Sequence, residues 1–278
     1  MKNILVATYF SNNAYRALFD AVKLLASQLC TFYLFNVYDK LAPLQAKKPK
    51  LLGSKKRLEE LYLKSKERLT ETSHRIVMDN ENPLHRFKTL SEKGMLTTII
   101  SKIISEKQID LVVMGNKDLT KAADIFFGSN TIRVLKRING CPVLTVPEDV
   151  RFSTPQEIVF PTDYKSAFKC QELSYLIEVA KIHDDTTRVL YVAKNLDLND
   201  NQESNKQLLD DILESVDHGF HTLTEIDVSD GITSFAENRN SDMISFINRK
   251  HFFFGSVFFK PLVKEIGYDT TVPVLALH

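Results

Sequence analysis

Gly115 and, thirteen residues later, the pair Gly128-Ser129 have the types and spacing that best suit chemistry. The pair heads a stretch with Ile132, Val134 and Leu135 at helical spacing. A Gly-Ser at a helix start offers free backbone N–H groups, a hydroxyl and the positive end of the helix dipole, a combination suited to phosphate. The plainer alternative is that both glycines simply serve a turn and a helix start. Other candidates are weaker. His218 and His221 have a metal-ligand spacing, but with no nearby Cys and no second His pair they read as residues at a loop and strand start. Cys30, Cys141 and Cys170 lie far apart, without C-x-x-C spacing, and read as reduced thiols; Cys141 and Cys170 are expected to be inert and buried. No G-x-S-x-G, H-E-x-x-H or Walker loop is present, so no catalytic constellation is expected.

The chain that must position these residues has 278 of them, a length that suggests two domains of ordinary size. Lys and Arg number 36 against 35 Asp and Glu, a net charge of +1, which excludes a globally basic nucleic-acid binder. The one dense basic run, Lys47-Lys48-Pro49-Lys50 with Lys55-Lys56-Arg57, lacks interleaved aromatics and reads as a solvated loop entering a helix around Leu58 to Leu69. The acidic stretch Asp197 to Asp217 reads as the wet face of a helix. No apolar run approaches the roughly 20 residues of a membrane span. The apolar stretch Ile4 to Phe10 breaks at Ser11-Asn12-Asn13 without a cleavage site, so a cytoplasmic protein is expected.

The two halves repeat each other. Ile4-Leu5-Val6-Ala7-Thr8-Tyr9-Phe10-Ser11 returns at an offset of 154 as Ile158-Val159-Phe160-Pro161-Thr162-Asp163-Tyr164-Lys165. Four more matches follow in order: Phe32 to Val37 with Val189 to Ala193, Thr89 to Glu92 with Thr222 to Glu225, Asp110 to Met114 with Asp242 to Phe246, and Cys141 to Leu144 with Val272 to Leu275. The offset falls by 23 between the second and third matches, which places the length difference in one crossover, where surface connections tolerate it.

Within each copy, short apolar runs alternate with amphipathic stretches. Asn12 to Leu29 places Ala14, Leu18, Ala21, Leu25 and Leu29 on one helical face, and Gly94 to Lys107 does the same with Leu96, Ile99, Ile100, Ile103 and Ile104. Runs such as Leu111-Val112-Val113-Met114 are too continuously apolar for a sheet with one wet face. The expectation is α/β: two tandem flavodoxin-like domains, 1–150 and 155–278, each a five-stranded parallel sheet in the order 3-2-1-4-5 with helices on both faces. Ligands of such sheets sit beyond the strands' carboxyl ends where the order reverses, between the first and fourth strands. In the first copy that brings Thr8-Tyr9-Phe10-Ser11 beside Met114-Gly115-Asn116-Lys117.

On these residues the chain resembles the universal stress proteins in tandem form, over nearly its whole length. Nucleotide-binding copies of that family carry G-x2-G-x9-G-[S/T] after the fourth strand and an Asp at the end of the first. They close on a strand like Cys141-Pro142-Val143-Leu144-Thr145-Val146. In ATP-binding members that Asp contacts adenine and the loop wraps the phosphates. The first copy keeps Gly115, Gly128 and Ser129 but has Asp118 at the second Gly and Tyr9 at the Asp. The second has Asp163 at the adenine position, yet Ile247 stands where Gly115 does, and Phe259-Lys260 falls opposite Gly128-Ser129. A cluster of Phe252, Phe253, Phe254, Phe258 and Phe259 would there fill or cover the crevice.

The resemblance implies a non-catalytic stress-response protein, with ATP or AMP as the ligand of the first copy. The implied contacts are Thr8, Tyr9, Val37, Met114, Gly115, Lys117, Gly128, Ser129 and Asn130, with Asp163 as the second copy's remnant. It also implies that the fifth strands, Val143 to Val146 and Val274 to Leu277, pair the two halves, with a further homodimer as an extension. The competing readings are a scaffold with both sites lost and a slow ATP hydrolase, for which Asp118 and Asp124 are the only local carboxylates.

Overall fold

Continuous apolar runs become strands buried on both faces. The computed structural model describes residues 1–38, 54–116, 129–147, 154–193, 197–249 and 272–278. Its strands are β1 (Lys2–Ala7), β2 (Cys30–Val37), β3 (His85–Glu92), β4 (Leu111–Gly115), β5 (Val143–Val146), β6 (Glu157–Thr162), β7 (Thr186–Ala193), β8 (His218–Thr224), β9 (Met243–Ile247) and β10 (Val274–Leu277). Between them run α1 (Asn12–Leu24), α2 (Ser54–Asp79), α3 (Leu96–Lys107), α4 (Ser129–Arg137), α5 (Cys170–His183), α6 (Asp200–Leu213) and α7 (Val228–Arg239).

The strands form one sheet in the order β3-β2-β1-β4-β5-β10-β9-β6-β7-β8. Each half is parallel within itself and carries the expected 3-2-1-4-5 order. The halves join edge to edge through an antiparallel pair, in which Val274, Leu275 and Ala276 face Thr145, Leu144 and Val143. The fifth strands thus protect each other's edges. The long crossovers lie where the offset drops, between Val37 and His85 and between Ala193 and His218.

Two expectations are corrected. The first helix ends at Leu24, and Leu29 lies beyond it with 45% of its surface exposed, so the helical face stops at Leu25. Cys170 is the exposed first residue of α5, whereas Cys30 and Cys141 are buried as free thiols. Burial in α5 begins only at Leu173, one turn beyond Cys170, which residue type alone does not reveal. The second basic cluster belongs to α2, which runs well past Leu69 to Asp79. Lys47 to Lys50 and the Phe252 to Phe259 cluster lie outside the described residues.

One sheet face carries a core continuous across both halves, from Ile4, Phe32 and Leu69 through Leu144 and Leu275 to Phe160 and Leu176. The opposite face holds separate clusters, one around Phe35, Ile100 and Met114 and another around Leu190, Ile232 and Ile244. Burying each such side chain contributes about 1.5–3 kcal/mol. Across the seam, Lys2 Nζ meets Glu178 at 2.6 Å and the His183 ring reaches the Leu24 carbonyl at 2.7 Å. At the opposite end of the strands from the crevices, the Asp that opens the fourth sequence match has a clear task. Asp110 accepts from the Asn3 N–H at 2.7 Å, and Asp242 accepts from the Gln156 N–H at 2.8 Å. Each Asp ties the start of its half's first strand to the start of the fourth.

Among the described residues no helix is long and apolar enough to cross a membrane, and no group of three or more His, Cys, Asp or Glu could hold a metal ion.

Candidate functional site

The loop after β1 is built by a side chain, Thr8. Its hydroxyl accepts from the Phe10 N–H at 3.0 Å, and Phe10 takes the left-handed conformation (φ 60°) that an aromatic residue rarely adopts. The end of β2 and the crossover helix α2 hold this turn in place. Asn36 donates to the Thr8 carbonyl at 2.7 Å and accepts from Ser65, which in turn accepts from Ser91. Arg68 donates to the Phe10 carbonyl at 3.2 Å and lies over the Phe10 ring at 4.4 Å. Tyr9 is thereby presented at the mouth of the crevice between β1 and β4, with 42% of its surface exposed.

Gly115 ends β4, and Ser129 opens α4. A Cβ at Gly115 would stand 2.9 Å from the backbone carbon and oxygen of Asn13, so the glycine is needed for space. It lets the first turn of α1 lie directly against β4, where the Asn13 side chain donates to the Asn116 carbonyl. Asn130, in the first turn of α4, is hydrogen-bonded to the Tyr9 side chain, so the turn after β1 and the N-terminus of α4 meet across the crevice. Crowding around the Tyr9 hydroxyl pushes its pKa up to about 12, with the Asn130 bond opposing the rise. Tyr9 therefore stays neutral and offers a ring and an O–H.

Of the residues expected to line one site, the structure brings together Thr8, Tyr9, Gly115 and Asn130, with Ser129 at the head of α4. Val37 ends the adjacent strand β2. The Met114 side chain is buried in the core and faces away from solvent. Lys117 and Gly128 lie outside the described residues, and Asp163 belongs to the crevice of the other half.

That second crevice repeats the frame. The Thr162 hydroxyl accepts from the Tyr164 N–H at 3.1 Å, and Tyr164 is again left-handed (φ 55°). Here α6 supplies the clamp, with Gln202 donating to the Asp163 carbonyl and Asn205 to the Tyr164 carbonyl. The Asp163 carboxylate accepts from the Lys165 N–H at 2.9 Å. Burial holds its pKa above the ordinary range, against the pull of Lys165. Beyond β9, Arg249 forks onto Glu172 at 3.0 and 2.6 Å and also donates to the Ala167 carbonyl at 2.7 Å. Sequence reading missed the clamps Asn36, Arg68, Gln202 and Asn205. Asn36 interrupts the apolar run of β2, while Arg68 lies on the crossover helix α2 and Gln202 and Asn205 on α6.

The family model of the universal stress proteins matches residues 1–147, through the whole first half and its crevice. The chain belongs to the universal stress protein family. Solved relatives extend the likeness in fold to the second half. A universal stress protein from Archaeoglobus fulgidus DSM 4304 aligns with 99% of this chain and 95% of its own at 17% identity, with a TM-score of 0.71. A functionally unknown protein from Pseudomonas aeruginosa PAO1 covers 100% of this universal stress protein and 92% of its own chain at 13% identity, with a TM-score of 0.61. A universal stress protein solved in complex with cAMP aligns with 53% of the chain and 97% of its own at 20% identity, with a TM-score of 0.38. No curated protein matches the sequence.

Proposed function

We propose that this universal stress protein is a non-catalytic, cytoplasmic stress-response protein whose first half takes an adenine nucleotide, ATP or AMP, and whose second half has given up that role. In this reading 1–150 and 155–278 are the two domains. The observation that carries the proposal is the placement of the ends of the glycine-bearing loop. Gly115 ends β4 at the switch point, and Ser129 opens α4 on the far side of the same crevice. First-turn N–H groups and the positive end of a helix dipole suit phosphate, and Asn130 of that turn stands beside Tyr9. Tyr9, exposed at the mouth, offers a ring for a purine face. In the second half, Arg249 and Glu172 neutralise each other beside the equivalent strand end.

Mass spectrometry of small molecules released from the purified protein, followed by calorimetric titration with ATP and AMP, tests this reading. The expected result is one equivalent of nucleotide per chain, bound at least tenfold more weakly after Ser129→Trp, a loss of about 1.4 kcal/mol or more. No bound nucleotide and no heat at millimolar ATP would leave a scaffold. Turnover of bound ATP would move the protein to the hydrolases.

A further inference from the structure

Each half-sheet has two edge strands, and their chemistry sorts them. β5 and β10 carry no charged residue, and each covers the other in the antiparallel join. β3 carries Arg86 and Lys88, both exposed, and lies at one end of the sheet. Charged side chains, lysine above all, are how an open edge resists the addition of another strand. β8 lies at the other end without that protection. Its seven residues, His218 to Thr224, include no Lys, Arg, Asp, Glu or Pro, and its register with β7 runs without a bulge.

The free side of β8 also complements itself. Thr187 donates to the Asp217 carbonyl at 2.8 Å, and the parallel register continues from Thr187 and His218 to Ala193 and Thr224. The backbone groups of Gly219, His221 and Leu223 therefore face β7, and those of His218, Phe220, Thr222 and Thr224 face outward. Among the described residues no strand pairs with them. A second β8, antiparallel about a two-fold axis at His221, would use all of these groups. It sets His218 opposite Thr224 and Phe220 opposite Thr222, each pair exchanging both hydrogen bonds. Phe220 against Thr222 is an aromatic and β-branched pair of the kind that stabilises sheets.

The residue on the axis meets its own copy, so its charge decides whether this register is allowed. His221 packs on the Phe235 ring, and burial, with Arg239 and Arg188 nearby, lowers its pKa against the pull of Glu157. The ring is therefore neutral near pH 7. The matching residue of β3, from the alignment of Thr89 with Thr222, is Lys88, which would repel its own copy.

We infer that the chain forms a two-fold homodimer in which β8 pairs antiparallel with β8 of a second copy, continuing the ten-stranded sheet across both molecules. The fifth-strand edges are already consumed within the chain, in the same mode of pairing. One short strand pair buries little area, so the association is expected to be micromolar or weaker. This inference is independent of the nucleotide reading of the first crevice.

Sedimentation velocity of the full chain, from micromolar to near-millimolar protein, tests it. Thr222→Lys gives β8 the kind of protecting charge that β3 has, and Thr222→Pro removes an outward N–H. Thr89→Lys makes the same change at the matching position of β3. Thr89 and Thr222 are both exposed, and thermal melts establish that each variant is folded. The expected result is a monomer–dimer equilibrium whose Kd rises at least tenfold in both Thr222 variants and is unchanged in Thr89→Lys. Hydrogen exchange at the Phe220 and Thr222 amides should slow as the native dimer forms. A native chain that stays monomeric at every concentration overturns the inference, as does a dimer that survives Thr222→Lys. A dimer lost only in Thr89→Lys would place the interface on β3 and overturn it equally.

Discussion

The two crevices share a frame and differ in what fills it. Thr8 and Thr162 each bond the N–H two residues on, and Phe10 and Tyr164 each stand left-handed after it. Asn116 N–H and Asn248 N–H each reach the end of the fifth strand, on Val146 and Leu277, at 2.7 Å. Each left-handed aromatic residue costs about 1–2 kcal/mol, and both halves retain one. The contents diverge. Gly115 admits the backbone of α1, whereas Ile247 stands in the second half with the Arg249–Glu172 pair beyond it. The two halves thus share a backbone frame while the side chains around it differ.

The largest effect should come from removing that difference at its narrowest point. Gly115→Val places atoms where a Cβ alone would already stand 2.9 Å from backbone, and a helix axis cannot yield as a side-chain tip does. The expected loss is about 3 kcal/mol or more, read as a fall in melting temperature of roughly 6–12 °C. A variant that melts like the native chain would show that α1 and β4 are not held in the contact described, and the contrast with Ile247 would lose its meaning.

The strands and their order were legible because burial on both faces writes continuous apolar runs and because the pattern occurs twice, whereas the pairing of the halves was implied by the family resemblance. Val143 to Val146 and Val274 to Leu277 were read at their observed bounds from Cys-Pro-Val-Leu and Val-Pro-Val-Leu alone. Of the candidate site, Thr8, Tyr9, Gly115 and Asn130 were read from the sequence and meet in the structure, while Lys117 and Gly128 lie outside the described residues. Gly115 was read as phosphate chemistry or a plain turn, and a contact between helix and strand was invisible because Asn13 lies a hundred residues away. The clamps from Asn36, Arg68, Gln202 and Asn205 are long-range in the same way. Cys170 was misjudged because residue type reports average burial and not the position of a helix's first turn.

A second, smaller effect sharpens the comparison at the other end of the strands. Thr31 pairs with Asn3 and Thr186 with Glu157, so Cys30 and Asp185 occupy the same place in the two halves. Each is buried, but a thiol tolerates burial and a carboxylate does not. Both Asp185 oxygens lack a hydrogen-bond partner. Burial, with Asp242 and Asp184 nearby, raises its pKa from 3.8 to about 7. A carboxyl that holds its proton more tightly when folded costs stability as pH rises from about 4 to about 7, and the cost is constant above that. Asp185→Asn should therefore stabilise the protein by about 2 kcal/mol at pH 8, less than the full shift implies because the amide is itself unpartnered. The gain should vanish near pH 4. A variant less stable than the native chain at pH 8 would mean that Asp185 has a partner in solution.

The smallest effect lies at the sheet's two outer edges, where both outermost strands begin with histidine. The His85 ring is buried, with Nε2 3.0 Å from the Leu25 carbonyl and Nδ1 without a partner, and burial lowers its pKa against that bond. His218 has an acceptor at each nitrogen, the Val216 carbonyl at 3.0 Å from Nδ1 and the Asp210 carboxylate at 2.8 Å from Nε2. Only the doubly protonated ring can donate to both. Burial opposes the charge, but these two bonds and the nearby Asp217 outweigh it and raise the pKa. The two histidines thus act in opposite senses on stability. His85 contributes while neutral and loses that contribution as pH falls. His218 contributes fully below the ordinary value near 6.5 and loses its share as pH rises through its folded pKa. Each share is about 1 kcal/mol or less. Proton NMR titration of the ring C–H resonances should place His218 above 6.5 and His85 below it. Asp210→Asn should bring His218 down while leaving His85 unmoved. If His218 titrates below 6.5 in the native chain, the Asp210 contact is not formed in solution, and α6 does not pin the start of β8.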